Sequence, residues 1–406
     1  MMRFGNMMLI VFFAGFLVTG SVFTLFVHET TADSETENRR LASLPSCSVK
    51  AMLSGDFFRQ LENYAADHIG YRDALVQTSK LLASLQGMAG SESALIVASS
   101  ANNTGEAQAA ASEPKTPQES FKPQPEEQPA VAQEAEPAAK PPLPEEKGHV
   151  LGKVLIVGDR AMNLFTFDPA AGEAYADAIN RIQARLDEAL PDRQVQASVL
   201  LAPTAVEFVS SAKLKTLSDS QKKAIDEVYW SIRPDIAKVD ALSMMSRHAQ
   251  EPLFFRTDHH WTAHGAYYAY AAFVEAAGME PVPIAAYETG EVPDFLGSLY
   301  SSTMNRQLAA HPDTIVYYKP KVPHQYTVHY TGALHMPLID LSHAAKKNKY
   351  RIFLSGDRPW AHITTQTLNS RKLLVIKDSY GNAFVPFLLP HYSEISCVSW
   401  LRGNIC

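Results

Sequence analysis

Residues 372–388 read KLLVIKDSYGNAFVPFL. Leu373 to Ile376 is an apolar run of strand length, too short for a helix of its own. Asp378-Ser379 ends it, and a second apolar run begins at once. The pattern predicts a strand that turns directly into a helix, with Ser379 on the turn and its Oγ at the edge of a sheet. Other serine hydrolases present a nucleophile on such a turn, although their GxSxG pattern is absent here. Free backbone N–H groups at a helix start, where the dipole is positive, could hold a developing oxyanion. Gly381 would let a substrate come close, Asn382 offers a side-chain donor, and Tyr380 joins them as a candidate substrate or oxyanion residue. A plain N-cap serine followed by a turn glycine reads the same way, and the residues leave that alternative open.

Working outward, short apolar runs alternate with helical periodicity. Strands are expected at Lys153–Val157, Val195–Ala202, Leu253–Arg256, Arg351–Leu354 and Leu373–Ile376. Helices are expected at Tyr175–Leu190, closed by Pro191; at Ser220–Ile232, capped by Asp219; and at Ala263–Ala277. Such alternation predicts a layered α/β fold with a mainly parallel sheet, whose ligands sit at the carboxyl ends of the strands. Residues 279–330 are less regular, and Phe295–Tyr300 reads as a loop or hairpin shaping one side of a cleft.

Between the expected strand at 253–256 and the helix at 263 lies Thr257-Asp258-His259-His260-Trp261-Thr262. A spacing of two puts Asp258 and His260 on one side of an extended segment. A carboxylate beside an imidazole fixes its tautomer and stabilises the imidazolium, which a general base requires. Trp261 could exclude water or stack on a sugar ring. Asp258 or Thr257 could equally cap the following helix. A zinc reading uses His260 and His264, four apart, with His259 and Asp258, but the HExxH pattern is missing. The preferred assignment is Ser379 as nucleophile, His260 as base and Asp258 as orienter, with no metal and no cofactor.

The flanks place this unit. Residues 8–27, MLIVFFAGFLVTGSVFTLFV, carry no charge and are long enough to cross a bilayer of roughly 30 Å. Arg3 before them and Glu29 and Asp33 after them orient the remainder outward, giving a single-pass protein of the cell membrane with its main domain extracytoplasmic. A cleaved signal peptide is the competing reading and leaves the domain outside as well. Residues 99–148 hold nine of the 25 prolines and only one aromatic, Phe121. That composition cannot bury enough apolar surface to offset its ordering entropy, so it reads as a disordered linker able to span from the membrane to a working domain. The division is therefore 1–30 anchor, 31–98 tether and helical segment, 99–148 linker and 149–406 catalytic domain. A net charge of −7 gives no electrostatic case for nucleic-acid binding. Three cysteines make no framework, though a Cys397–Cys406 bridge is open to an exported chain.

Phe255–Tyr267 (FRTDHHWTAHGAY) with Lys377–Ala383 (KDSYGNA) resembles the DHHW protein family, which is similar to the SGNH-like domains of alginate O-acetylation proteins. Glu37-Asn38-Arg39, Arg72-Asp73, Pro203-Thr204 with Glu207-Phe208, and Gly297–Tyr300 add to the match, which spans about 35–95 and 149–402. The resemblance implies a three-layer SGNH-hydrolase-like fold. It implies acyl transfer to, or ester cleavage from, a cell-surface polysaccharide, with Ser379, His260 and Asp258 in the roles above. A membrane-bound O-acyltransferase partner would supply the acetyl groups. Arg402 matches a substrate-side arginine, but the aspartate usually before it is absent. The serine comes last in the chain, whereas ordinary SGNH esterases place it first. The rival from another class is a non-catalytic scaffold that binds polysaccharide or the acyltransferase.

Overall fold

The computed structural model describes residues 148–399 apart from 193, 194, 330 and 331, together with 41–48, 51–52, 54–68 and positions 15, 33–34, 39–40, 78 and 96–97. The apolar run at 8–27 lies outside the described residues except for Gly15, as does most of the proline-rich stretch. Among the described residues, no helix is long and apolar enough to cross a membrane.

Helix α1 spans Asp56–Asp67. Strand β1, Ile96–Val97, pairs antiparallel with β2, Gly148–Leu151, with Val97 opposite Gly148. Residues 98–147 therefore leave and re-enter the fold at neighbouring points of one sheet. Strands β3 (Val154–Val157) and β4 (Arg160–Asn163) complete an antiparallel meander. Gly158, at φ 59°, makes its last turn in the left-handed region that glycine tolerates best.

Helix α2 (Pro169–Ala189) starts earlier than its periodicity suggests, because Asp168 accepts from the N–H groups of Ala170 and Ala171 and Pro169 fits the first turn. Ser220, rather than Asp219, caps α3 (Gln221–Ser231). Strand β5 (Ser198–Leu200) runs parallel to β6 (Ala237–Val239). Helix α4 (Ala241–Ser246) leads to residues 253–256, which form a single bridge, Phe254 to Trp261, instead of a strand. Thr262 caps α5 (Ala263–Ala276) through the Gly265 N–H at 3.0 Å. Strand β7 (Glu288–Phe295), helix α6 (Ser298–Thr303) and strand β8 (Asp313–Lys319) order the region read as irregular, with β7 and β8 antiparallel.

The largest sheet has five strands. In chain order they are β9 (His324–His329), β10 (Ala333–Met336), β11 (Trp360–Thr365), β12 (Lys372–Lys377) and β13 (Glu394–Ser399). Their spatial order is β10-β9-β11-β13-β12, and only the β12–β13 pair is parallel. Helix α7 (Gly381–Leu388) belongs to the crossover joining that pair. The expected three-layer, mainly parallel sheet is thus overturned: the sheets are small, mixed and mostly antiparallel. The cause is in the connections. A parallel pair needs a long crossover, usually helical, while β9 and β10 are joined by a short hairpin link that forces the antiparallel sense. The runs themselves carry no direction. The stretch Arg351–Leu354, read as a strand, is instead the end of a 3-10 turn over Lys349–Ile352 and a left-handed Leu354.

One face of this sheet packs on α5 and α7. Tyr270 stacks on Phe387 with centroids 5.5 Å apart, and every residue of α7 is buried. The full burial of Phe387 and Leu388 contributes on the order of 1.5–3 kcal/mol each. On the other face Leu374 is 59% exposed, Trp360 51% and Ile376 45%, so the described residues supply no third layer there.

Candidate active site

The turn between β12 and α7 carries Ser379, and the loop before α5 carries Asp258 and His260. Ser379 Oγ lies 2.8 Å from His260 Nε2, and His260 Nδ1 lies 2.6 Å from Asp258 Oδ1. An ionised carboxylate only accepts, so Nδ1 carries the proton and donates to Asp258. Nε2 is then left as the acceptor for the Ser379 hydroxyl. Asp258 is 3% exposed and His260 1%. Ser379 does not act as a helix cap: Tyr380 holds that position in α7, with no side-chain cap bond.

The acidic partner is held from three sides. Asp258 Oδ1 also accepts the His260 N–H at 3.0 Å, and Oδ2 accepts the Ser298 N–H at 2.8 Å. The loop is fastened by the buried Asp313, which accepts from the N–H of Arg256 at 3.0 Å, the N–H of Thr257 at 2.8 Å and the Thr257 hydroxyl at 2.6 Å. Arg256 reaches on to Asp159 at 3.0 Å. Asp313 does not stand out in the sequence, and Ser298 does so only as part of the Gly297–Tyr300 segment that adds to the family resemblance. Ser298 follows Gly297 in the segment read as a loop beside a cleft, and the structure places it on the carboxylate.

Around Ser379, Tyr380 donates its N–H to Asp378 Oδ1 at 2.9 Å, and its hydroxyl donates to the His259 carbonyl. Trp261, 1% exposed, donates Nε1–H to the Tyr380 carbonyl at 2.9 Å. The indole ties the two loops together from inside the core. Asn382 is buried: Lys377 Nζ donates to its Oδ1, and its Nδ2 donates to Asp357 at 3.0 Å. Lys377 also reaches Asp357 and Ser399, each at 3.3 Å. A Cβ on Gly381 would lie 2.6 Å from Lys377 Cδ, so close strand-to-helix packing is what the space at Gly381 serves.

Charge follows from burial and neighbours. Burial raises the Asp258 carboxyl, but the His260 and His259 charges and the Ser298 N–H outweigh it and hold the group well below the usual carboxylate range. His259, whose Nδ1 sits 2.6 Å from Ser298 Oγ, is pushed down to about 4, by burial first and the His260 charge second. Burial raises the Tyr380 phenol, helped by Asp258 and Asp378.

The metal reading separates into two places. Asp258, His259 and His260 bring candidate ligand atoms within 4.8 Å of one another, but the Asp258 oxygens and both His260 nitrogens are engaged in the contacts above. His264 faces elsewhere, to Glu251 and, at 3.3 Å, to the Tyr318 hydroxyl. Arg402 and Cys406 lie outside the described residues. Cys397 is a buried free thiol pushed up to about 11 by burial.

The Ser379 hydroxyl, the His260 imidazole and the Asp258 carboxylate thus form one hydrogen-bonded row beside a mixed, mostly antiparallel sheet. The family model described as DHHW protein matches residues 131–398. The chain therefore belongs to the DHHW protein family. Among solved structures, a DHHW family protein from Eubacterium siraeum is 27% identical, covering 62% of this chain and 84% of its own, with a TM-score of 0.57. Bacillus cereus PatB1, solved with a sulfonyl adduct, is 18% identical over 62% of this chain and 86% of its own, with a TM-score of 0.52. The O-acetyltransferase domain of Pseudomonas putida AlgJ is 14% identical over 61% of this chain and 76% of its own, with a TM-score of 0.33. No curated protein matches the chain.

Proposed function

We propose that the protein moves an acyl group through a covalent Ser379 intermediate, between an ester donor and a hydroxyl of a cell-surface polysaccharide, outside the cytoplasm. The observation that carries this reading is the 2.8 Å contact between Ser379 Oγ and His260 Nε2, made across 119 positions of sequence, with His260 already oriented by Asp258.

In the first step His260 Nε2 takes the Oγ proton as Oγ bonds to the acyl carbon. The carbonyl π electrons move to oxygen, and the N-terminal end of α7, free of a side-chain cap, faces that charge. Collapse expels the donor alcohol, which takes the proton from His260. In the second step His260 deprotonates a sugar hydroxyl as it attacks the acyl-serine, and the departing Oγ takes that proton back from His260. Water in place of the sugar gives ester cleavage. Asp258 stays ionised throughout and stabilises the imidazolium. A membrane-bound O-acyltransferase is the proposed acyl source. Support for an extracytoplasmic place is the uncharged apolar run at 8–27.

The test is labelling by a fluorophosphonate or sulfonyl fluoride, with the modified residue located by mass spectrometry. Modification of Ser379 is expected, and Ser379→Ala should remove it without shifting the unfolding temperature. A folded wild-type protein that takes no label at Ser379 would overturn the reading in favour of a binding scaffold.

A further inference from the structure

We propose that Tyr350 is a positioning residue for this site, holding the His260 ring and the Ser379 turn in one alignment. The inference rests on the reading of Ser379 and His260 as nucleophile and base. The Tyr350 ring lies parallel to the imidazole, 3.8 Å between centroids and 8° between planes. Its hydroxyl donates to the Ser379 carbonyl at 3.3 Å. One buried side chain thus touches both partners of the proton transfer.

His260 is enclosed on every side. His259 lies over its other face at 3.8 Å and 36°. Asp258 and Ser379 take its two nitrogens, so a ring flip would break both bonds and scrape two faces. When the imidazole takes the Ser379 proton, it becomes a cation against the negative face of an aromatic ring, an attraction absent before the transfer. The phenol stays neutral, because burial, and after it the Asp258 charge, raise it well above its ordinary value.

The backbone that delivers Tyr350 is strained. After the 3-10 turn at Lys349–Ile352 come three left-handed residues, Leu354 (φ 54°), Ser355 (φ 55°) and Gly356 (φ 82°). Leu354 and Ser355 are non-glycine and at most 1% exposed. They are pinned by the Tyr326 hydroxyl on the Leu354 carbonyl at 2.9 Å and by Ser355 Oγ donating to Asp340 at 2.8 Å. Asp357 comes next and accepts from Lys377 and Asn382, on the two sides of the Ser379 turn. Strain of this kind persists where surrounding contacts over-determine it, and it clusters at functional sites. Here it joins a residue on the base to one beside the nucleophile.

The experiment compares full-length Tyr350→Phe, Tyr350→Leu and a variant carrying pentafluorophenylalanine at 350, which keeps the ring but inverts its quadrupole. Two readouts are taken: the fluorophosphonate labelling rate, split into reversible binding and bond formation, and the downfield Nδ1–H proton resonance of His260. Tyr350→Phe should label within about threefold of wild type. The leucine and pentafluoro variants should lose about tenfold in the bond-forming step, with reversible binding unchanged. The leucine variant should also broaden or lose the Nδ1–H signal. A folded leucine variant with wild-type rate and resonance would overturn the inference. Should it fail to fold, the pentafluoro variant decides, and a wild-type rate there sinks the inference. If wild type does not label, the proposed function fails, and the resonance alone decides the positioning role.

Discussion

Gly297 stands so close to Asp258 that a Cβ on it would lie 2.3 Å from the Asp258 Cβ and 2.4 Å from Oδ2. Its φ of −85° is open to any residue, so the requirement is space and not conformation. Gly297→Ala must push the carboxylate off the His260 nitrogen or displace the Ser298 N–H. A loss on the order of 100-fold in Ser379 labelling rate is expected, with about 1–3 kcal/mol lost in stability from overpacking. Labelling kinetics beside urea unfolding would show both, and an alanine variant with wild-type kinetics would contradict the contact.

Acid should weaken the fold through His259. Its pKa falls from the ordinary 6.5 to about 4 in the native protein, by burial and the His260 charge. Between those values the unfolded chain binds a proton that the native chain refuses, so stability is complete above about pH 6.5 and declines toward pH 4. One such group gives a slope of at most about 1.4 kcal/mol per pH unit. His259→Asn should flatten urea-unfolding stability across this window. His343, also held near 4 by burial and then by Arg351, should leave a residual slope.

Buried Lys377 and half-buried Asp357 pair at 3.3 Å, with Asn382 bonded to both. Lys377→Met leaves the carboxylate without its cation and should cost about 3 kcal/mol. Adding Asp357→Asn should recover part of that loss, because the orphaned charge goes with it. A double-mutant cycle by chemical denaturation measures the coupling. Strict additivity would mean that the pair does not act as one unit.

Gly265 sits in the first turn of α5, where a Cβ would meet the Leu253 carbonyl oxygen at 2.2 Å. Helix propensity alone would favour alanine there by about 1 kcal/mol. The close crossing should win, and Gly265→Ala should destabilise the protein by about 2 kcal/mol. Thermal unfolding of the variant tests which effect dominates.

Legibility in the sequence tracks the range of the interactions. The strand, turn and helix around Ser379 are local, and the 372–388 stretch shows them. The two-residue spacing of Asp258 and His260 on an extended segment is local too. The sheet as a whole departs from expectation because Leu373 to Ile376 is apolar throughout, as in a strand covered on both faces. Only Leu373 and Val375 face the core, and the strand lies at an edge. Tyr350 gives no signal for a related reason. Its neighbours Arg351–Leu354 fit a strand pattern, and nothing in their order announces three left-handed residues in succession. Ser298 and Asp313 act through partners about 40 and 56 positions away, a separation at which composition and periodicity are silent.

The pairing of Val97 with Gly148 changes how the proline-rich stretch relates to reach. A segment whose two ends are side by side adds nothing to the distance between its flanking regions, however long its contour. Shortening the run at 98–147 would therefore leave Val97 and Gly148 side by side, as their pairing already holds them.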